Sequence, residues 1–479
     1  MDLKRHWNTK LHSAVPRALD NLARHAGFCG FVANVDAMKF VDGKTVSKLL
    51  SALATKEVKK RLDAKDTPSI GSVEDFAAAL LYCFENGKAL ELPCYDARIF
   101  EWFSQYFGGP DELRMGGQAG IIANQLAALK SPPVCYCPLL SLAQARLFDK
   151  SVKFPVVQGG RLALVPALKA AQKGDATKVN WIFEFSKNDA CGWDGRKVVC
   201  KRSNRLIVLS KLVKSEPLFS DGLAPHLPAL AANFDRAMVA GFHHLHRENG
   251  KKIQYYLNRL CGQLDAMKKA NPRLRVHVEY VMISDPALAR EVYTHIGRPA
   301  DSLGINEVEM RHVLKMFGLK KELQALRNDE GAYSLYLASR ALARRFDFSR
   351  VHAHTLGYYV LYTDKKRARG EPSQYADSLL LAAKASEVRA ALGRPPTKSD
   401  VLHPKFREIS VSEAGLEQLA KFADSAGLKG RERKRFTEEG VAEFQDHYVF
   451  VVPAPITPKP KSTVGLGDTI SSTAFCSEP

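Results

Sequence analysis

The residues best equipped for chemistry form the stretch Lys461-Ser-Thr-Val-Gly-Leu-Gly-Asp468-Thr-Ile-Ser-Ser-Thr-Ala-Phe475. Gly465 and Gly467, on either side of Leu466, let the backbone turn tightly so that successive N–H groups aim at one spot. A helix beginning there adds partial positive charge, which makes an anion site. Asp468 stands beside that site, where a bound anion would repel it, so its use is to take a proton. Phosphoryl transfer fits both features: the amides of Gly465 to Gly467 hold the moving group and Asp468 accepts the proton of an attacking hydroxyl. The same residues fit a plain glycine-rich turn with Asp468 as a helix N-cap. This stretch alone leaves both open.

Two further acids could serve a cation. In Val276-His277-Val-Glu279-Tyr280, His277 and Glu279 fall on one face of an apolar strand, where an acid is costly to bury without a partner. Asn306-Glu-Val-Glu309 precedes the apolar stripe Met310, Val313, Leu314 and Phe317. Glu279 and Glu309 could hold magnesium through waters, an ion that often uses one or two carboxylates plus substrate phosphates. Asn306 and Glu309 also have the spacing of a capping box. Asn34 and Asp36, two apart, either cap a strand end or present an amide and a carboxylate to a polyol. Glu91 before Pro93 says little alone. Arg114-Met-Gly-Gly117-Gln118-Ala-Gly120 allows close backbone approach, but it is neither a dinucleotide fingerprint nor a P-loop.

The elements that must position these residues follow from periodicity. Residues 1–26 read as a helix and 27–38 as one strand carrying Asn34 and Asp36. Residues 43–85 are helical, with Val46, Leu49, Leu50 and Leu53 on one face. Residues 151–212 look like a small β-rich unit. From about 230 onward, strands near 237–242, 275–283, 351–363 and 447–452 alternate with helices at 253–269 and after Asp285-Pro286. That pattern predicts an α/β fold with a mostly parallel sheet covered on both faces and ligands at its carboxyl ends.

Composition sets the frame. The 479 residues are 46% hydrophobic and 25% charged, enough for a large core or two smaller ones. No signal-peptide pattern and no membrane-length apolar run is expected. Nine cysteines without CxxC spacing suit reduced thiols in a cytoplasm, with Cys135-Tyr-Cys137 as buried packing. The net charge of +19 is spread along the chain, with clusters at 56–65, 365–369 and 429–435 that interleave no aromatics. These read as solvated faces, and the charge can steer anions inward.

Six of these stretches, in order from 34 to 475, resemble the ADP-dependent glucokinase/phosphofructokinase family of archaeal type, which is ribokinase-like. They are Asn34-Val-Asp36, Arg114 to Gly120, His277-Val-Glu279, Asn306 to Glu309, His354-Thr-Leu-Gly-Tyr-Tyr359 and Ser462 to Asp468. The resemblance implies a three-layer α/β/α core with a smaller β-rich lid. The core would take approximately 41–84, 112–150 and 213–479, and the lid approximately 25–40, 85–111 and 151–212. It implies Asp468 as catalytic base, an anion hole at Gly465, Leu466 and Gly467, and Arg205 as a lid arginine reaching the phosphates. Glu279 and Glu309 would hold Mg2+ or another divalent cation. Asn306, His354, Thr355 and Gly467 would contact ADP, the phosphoryl donor. Asn34, Asp36, Glu91, Gly117 and Gln118 would contact the sugar, with Asn180 where the family would place a histidine. A carboxylate at 91 accepts from glucose hydroxyls and repels a 6-phosphate, which favours glucose 6-phosphate and AMP as products. The alternatives are an ADP-dependent 6-phosphofructokinase, a bifunctional enzyme, or a non-catalytic nucleic-acid-binding relative. The expected partners are a sugar and ADP, with no nucleic acid and no membrane, on a monomer or small homo-oligomer.

Overall fold

Runs such as Arg236–Val239 and Arg275–Glu279 are buried at nearly every position, as strands must be when helices cover both faces of their sheet. In the computed structural model, which describes residues 2–63, 69–213, 215–245, 253–283 and 285–479, they lie at the centre of an eleven-stranded sheet. Its order is Val441–Glu443, His447–Pro453, Tyr358–Asp364, Arg350–His354, Ser302–Asn306, Arg275–Glu279, Arg236–Val239, Gly27–Gly30, Val134–Tyr136, Lys153–Gln158 and Arg161–Pro166. Neighbours from Arg350–His354 through Lys153–Gln158 run parallel, and antiparallel strands close both edges. Glu279, Asn306 and His354 are the last residues of three adjacent parallel strands. This is the end of a parallel sheet at which ligands bind.

The second layer system is a five-stranded sheet in the order Leu90–Cys94, Asn204–Ser210, Val179–Phe185, Asn34–Phe40, Glu112–Gly116. Alternation splits its side chains between two faces. Ala37, Trp181, Phe183, Leu206 and Val208 go into a separate core beneath the helices Gly43–Ser51, Val73–Asn86 and Ala97–Tyr106. Phe76 meets Phe183 there at 4.6 Å between ring centroids. Asp36, Met38, Asn180, Ile182, Glu184, Arg205 and Ile207 alternate with those residues and belong to the opposite face. On that face Met38, Ile182 and Ile207 pack with Leu209 and Val464.

Several boundaries differ from expectation. Residues 41–84, expected in the large core, pack on the small sheet, because their apolar helix faces match its aromatic side; residues 64–68 within them lie outside the described residues. The last two residues of the basic run at 56–65 lie there too. Conversely, Gly27–Gly30 and the hairpin Lys153–Gln158/Arg161–Pro166, expected in the lid, belong to the large sheet. The single strand expected over 27–38 is two strands in different sheets. The chain leaves the large sheet at Phe31, and the Val32 carbonyl accepts from the Ala119 N–H at 2.9 Å. Likewise 351–363 is a hairpin, turning at Gly357 with φ +102°. Alternation of apolar residues cannot register a change of sheet or a turn built from apolar residues. Among the described residues, no helix is long and apolar enough to cross a membrane.

The helix Leu466–Ser477 is clamped at its C-terminal end. Its C-terminal end is followed by the fully buried Glu478, whose carboxylate accepts from Arg350 Nε at 2.8 and 2.9 Å. Arg236 Nη2 donates to the Glu478 and Pro479 carbonyls at 3.2 and 3.0 Å. Both guanidiniums face the ring of Phe475, which also stacks on His277 at 4.9 Å. A charge-assisted clamp of this kind fixes the helix axially. Its first turn is therefore presented to the strand ends in one position.

Candidate active site

Gly465 adopts φ +70° and is the N-cap of the helix, with no side chain capping it. The first helical bond runs from Thr469 N–H to the Gly465 carbonyl at 3.1 Å, so the N–H groups of Leu466, Gly467 and Asp468 have no partner within the helix. Asp468 is thus the third helical residue, not the N-cap that the sequence also allowed. Its carboxyl is pushed up to about 7, first by burial and then by the charge of Glu279; Arg389 and His354 oppose the rise, and Glu309 adds to it. Gly467 lies beside His354, whose Cε1 would be 3.4 Å from a Cβ at 467.

Glu279 is buried and yet strongly acidic, held down at about 2. Burial alone would raise it, but hydrogen bonds with His277 Nε2 at 3.0 Å and His354 Nε2 at 3.4 Å win. Burial lowers the pKa of His277 and keeps its ring neutral. Its proton therefore sits on Nε2, facing Glu279, and Nδ1 accepts from Ser302 Oγ at 2.8 Å. Ser302 Oγ in turn accepts from Arg350 Nη1 at 3.0 Å. The helix clamp and the Glu279 carboxylate thus belong to one buried chain of hydrogen bonds. His354 rises above its ordinary value: burial lowers it, and the bond to Glu279 more than compensates.

The capping box read from Asn306 and Glu309 is complete. Asn306 Oδ1 accepts from the N–H groups of Val308 and Glu309 at 3.0 and 2.9 Å, and Glu309 Oε2 accepts from the Asn306 N–H at 3.0 Å. Glu309 is pushed up to about 7, by burial above all and in part by the charge of Glu279. Three carboxyls therefore converge at the strand ends and feel each other's charge. Among the described residues, no group of three or more His, Cys, Asp or Glu is arranged as a closed metal site. A hard divalent cation fits the donor chemistry nonetheless, since magnesium needs only one or two carboxylates and keeps its waters and substrate oxygens.

On the small sheet, Asn34 Nδ2 donates to Asp36 Oδ1 at 2.6 Å. Gly117, at φ +74°, passes so close that a Cβ there would lie 2.9 Å from Asn34 Oδ1. The Oε1 of Gln118 is buried without a partner. Asn180 pairs in register with Asp36, but its Oδ1 accepts from the Ser210 N–H at 3.0 Å, so it also ties two strands together. Glu91 is exposed on the outermost strand, and its charge still reaches Asp36. Arg205 Nη1 donates to Thr463 Oγ1, and its Nε is buried without a partner. Thr355 closes a turn through its hydroxyl, 2.7 Å from the Tyr358 carbonyl.

Sequence reading passed over three residues here. Lys178, just ahead of the strand Val179–Phe185, is buried at 7% exposure; its Nζ donates to His244 Nε2 at 2.8 Å. Burial and the neighbouring Lys211 bring its pKa down to about 7, with Asp36 acting the other way. Asp36 itself is pushed up to about 7 by burial, against its bond from Asn34. Arg389 lies in a helix buried on almost every side, Pro372–Leu392, and nothing in its periodicity marks a ligand. Gly304 sits mid-strand, where a Cβ would be 2.1 Å from Glu279 Oε2 and 2.9 Å from the His277 ring. A lone glycine in an apolar strand is the one signal that could have found it.

The profile of the ADP-specific phosphofructokinase/glucokinase conserved region matches residues 26–477. The chain is 31% identical to an ADP-specific phosphofructokinase of Methanosarcina acetivorans, over 99% of this chain and 97% of that one. It is 27% identical to an ADP-dependent glucose/glucosamine kinase of Pyrococcus furiosus, over 98% of each. A solved ADP-dependent kinase complex with fructose-6-phosphate and ADPβS superposes with a TM-score of 0.84 at 31% identity, covering 98% of this chain and 97% of that one. The chain accordingly belongs to the ADP-specific phosphofructokinase/glucokinase family of ADP-dependent sugar kinases and shares its fold.

Proposed function

We propose that this protein transfers the β-phosphoryl group of ADP to a hydroxyl of fructose 6-phosphate, leaving AMP. The observation that carries the acceptor is the buried Lys178, whose positive charge acts on Asp36 and which has a second lysine, Lys211, near it. A buried ammonium is costly without an anion, and a sugar phosphate supplies one. The expectation of glucose rested on Glu91, which is exposed on the outermost strand. Glucose stays as a second reading because the charge of Glu91 reaches Asp36, so a hydroxyl-rich acceptor would also find carboxylates there.

In this reading Asp468 takes the proton of the attacking hydroxyl, and the free N–H groups at the start of its helix hold the transferring group. Asn34, Asp36, Gly117 and Gln118 orient the sugar, with Asn180 stiffening the sheet beneath it. Arg205 reaches the phosphates from the lid. Asn306, His354 and Thr355 lie at strand ends where the nucleotide would rest. Glu279 and Glu309 would hold magnesium, which supplies neutralisation of phosphate charge. Nine cysteines, all buried and none paired, accord with a reducing cytoplasm.

The test is AMP formation with ADP or ATP as donor and fructose 6-phosphate, glucose or glucosamine as acceptor. We expect turnover with ADP and a lower KM for fructose 6-phosphate. Lys178→Ala should raise that KM by roughly a hundredfold, in line with about 1.5–3 kcal/mol for a charged hydrogen bond, and leave glucose kinetics within a few-fold. A lower KM for glucose would favour the second reading, and no AMP with any hexose would end both.

A further inference from the structure

Three arginines surround the glycine turn, and two have evident partners. Arg114 donates to Glu112 Oε2 at 2.6 Å, and Arg205 donates to Thr463 Oγ1. Arg389 differs. It is 8% exposed, and its Nε donates to the Val464 carbonyl at 3.1 Å, which fixes the guanidinium against the loop. A Cβ on Gly465 would lie 2.8 Å from its Nη2, so the group lies against the backbone whose N–H donors are free. Its Nη1 is buried and has no hydrogen-bond partner. The charges it feels most are Asp468, which attracts it, and Arg114, which repels it. Among the described residues, no ion pair joins it to an acid.

A residue needed only to tie down residue 464 would not have to carry charge. One N–H suffices for that bond, and a buried cation near another cation is destabilising unless an anion is present. Burial brings Arg389 down only to about 10, so it stays charged at neutral pH. The unpartnered Nη1 belongs to a guanidinium that lies against Gly465 at the uncapped helix N-terminus and within reach of the Asp468 charge. Arg205 Nε, also buried and unpartnered, approaches from the lid.

We propose that Arg389 is a catalytic residue of the core, whose Nη1 donates to the transferring phosphoryl group on the side away from the lid and Arg205. This rests on the phosphoryl-transfer reading above and names a residue that the reading does not contain. Equatorial oxygens gain hydrogen bonding from such a donor as charge spreads over them in transit. Because Arg389 is anchored through Nε, it is in place before the lid arrives and needs no reorganisation during the reaction.

The experiment compares wild type, Arg389→Ala and Arg389→Gln for melting temperature, for kcat and KM with ADP and the acceptor, and for rescue by added guanidinium chloride at low millimolar concentration. Gln keeps an N–H for the Val464 carbonyl, so it preserves the loop if Ala does not fold. We expect kcat to fall about a thousandfold in both variants, the range for a transition-state arginine, with each KM within about threefold. We expect guanidinium to restore Arg389→Ala at least tenfold. A Gln variant with wild-type kcat would overturn the proposal. So would a loss seen only in KM, or a folded Ala variant that guanidinium does not rescue. If wild type itself makes no AMP from ADP, the phosphoryl-transfer reading fails; if wild type turns over and the variants match it, only the role of Arg389 fails.

Discussion

Replacing Asp468 with asparagine separates what this carboxylate does for catalysis from what it does to stability, and the two should move in opposite directions. The carboxyl rises from 3.8 to about 7 in the folded protein. At about 1.4 kcal/mol for each tenfold change in proton affinity, ionising it in place costs the fold up to roughly 4 kcal/mol. The sign follows from proton uptake. Between pH 4 and 7 the folded state binds a proton that the unfolded chain has lost, so this group destabilises the fold progressively as pH rises, and fully above about 7. The substituted amide cannot ionise and keeps the shape of the carboxyl. Thermal melts in EDTA should therefore show Asp468→Asn more stable than wild type by several degrees at pH 8, and by much less at pH 5. The figure is a ceiling, because Glu309 titrates over the same range and takes a share. Phosphoryl transfer should fall by about a hundredfold to ten-thousandfold in the same variant. A stability difference independent of pH, or a variant less stable at pH 8, would refute the electrostatic account. Near-normal turnover would refute the role as base.

Other perturbations test neighbouring parts. In Gly304→Ala the new methyl falls more than an ångström inside ordinary contact with Glu279 Oε2, so the carboxylate must move. Displacement on that scale should cost roughly a hundredfold in turnover, with about 1–3 kcal/mol of stability lost on melting. The wild-type kcat/KM should decline tenfold per pH unit below about 7, as Asp468 becomes protonated; a profile flat down to pH 5 would contradict that. Ser302→Ala leaves His277 Nδ1 and Arg350 Nη1 without their shared hydroxyl, and should lower stability by about 1–3 kcal/mol while raising the divalent-cation concentration needed for half-maximal thermal stabilisation.

What the sequence made legible followed periodicity and local chemistry. The helix after Asp285, the complete capping box at Asn306 and Glu309, and the alternation that puts Asn34 beside Asp36 are local, and the structure contains them. The pairing of His277 with Glu279 was also readable, because residues two apart on a strand share a face. The lid boundaries were not, since helices at 41–84 look the same whichever sheet they cover. Lys178 and Arg389 were illegible for a related reason. Their partners, His244 and Val464, are 66 and 75 residues away, and only folding makes a lysine or arginine buried and short of partners.

If the proposed phosphoryl transfer holds, one of three acids at the strand ends takes the proton, and electrostatics separates them. Glu279 holds at about 2 because two histidines bond to it, so it carries its charge at any physiological pH. A group that never protonates is a poor proton acceptor in the Brønsted sense and a good partner for a cation. Asp468 and Glu309 both titrate near 7, where a proton can be taken and given back. Glu309 has one oxygen committed to the Asn306 N–H, the return bond of the capping box. Asp468 has no such commitment and stands beside the free N–H groups of its own first turn, with Arg389 favouring its charged form. Only Asp468 combines a pKa near neutrality with an unengaged carboxyl at the anion site. That combination comes first from burial and then from Glu279, whose negative charge raises Asp468 further, so weakening the His277 bond should move the acid limb of the rate profile to lower pH as well as weaken binding of a cation.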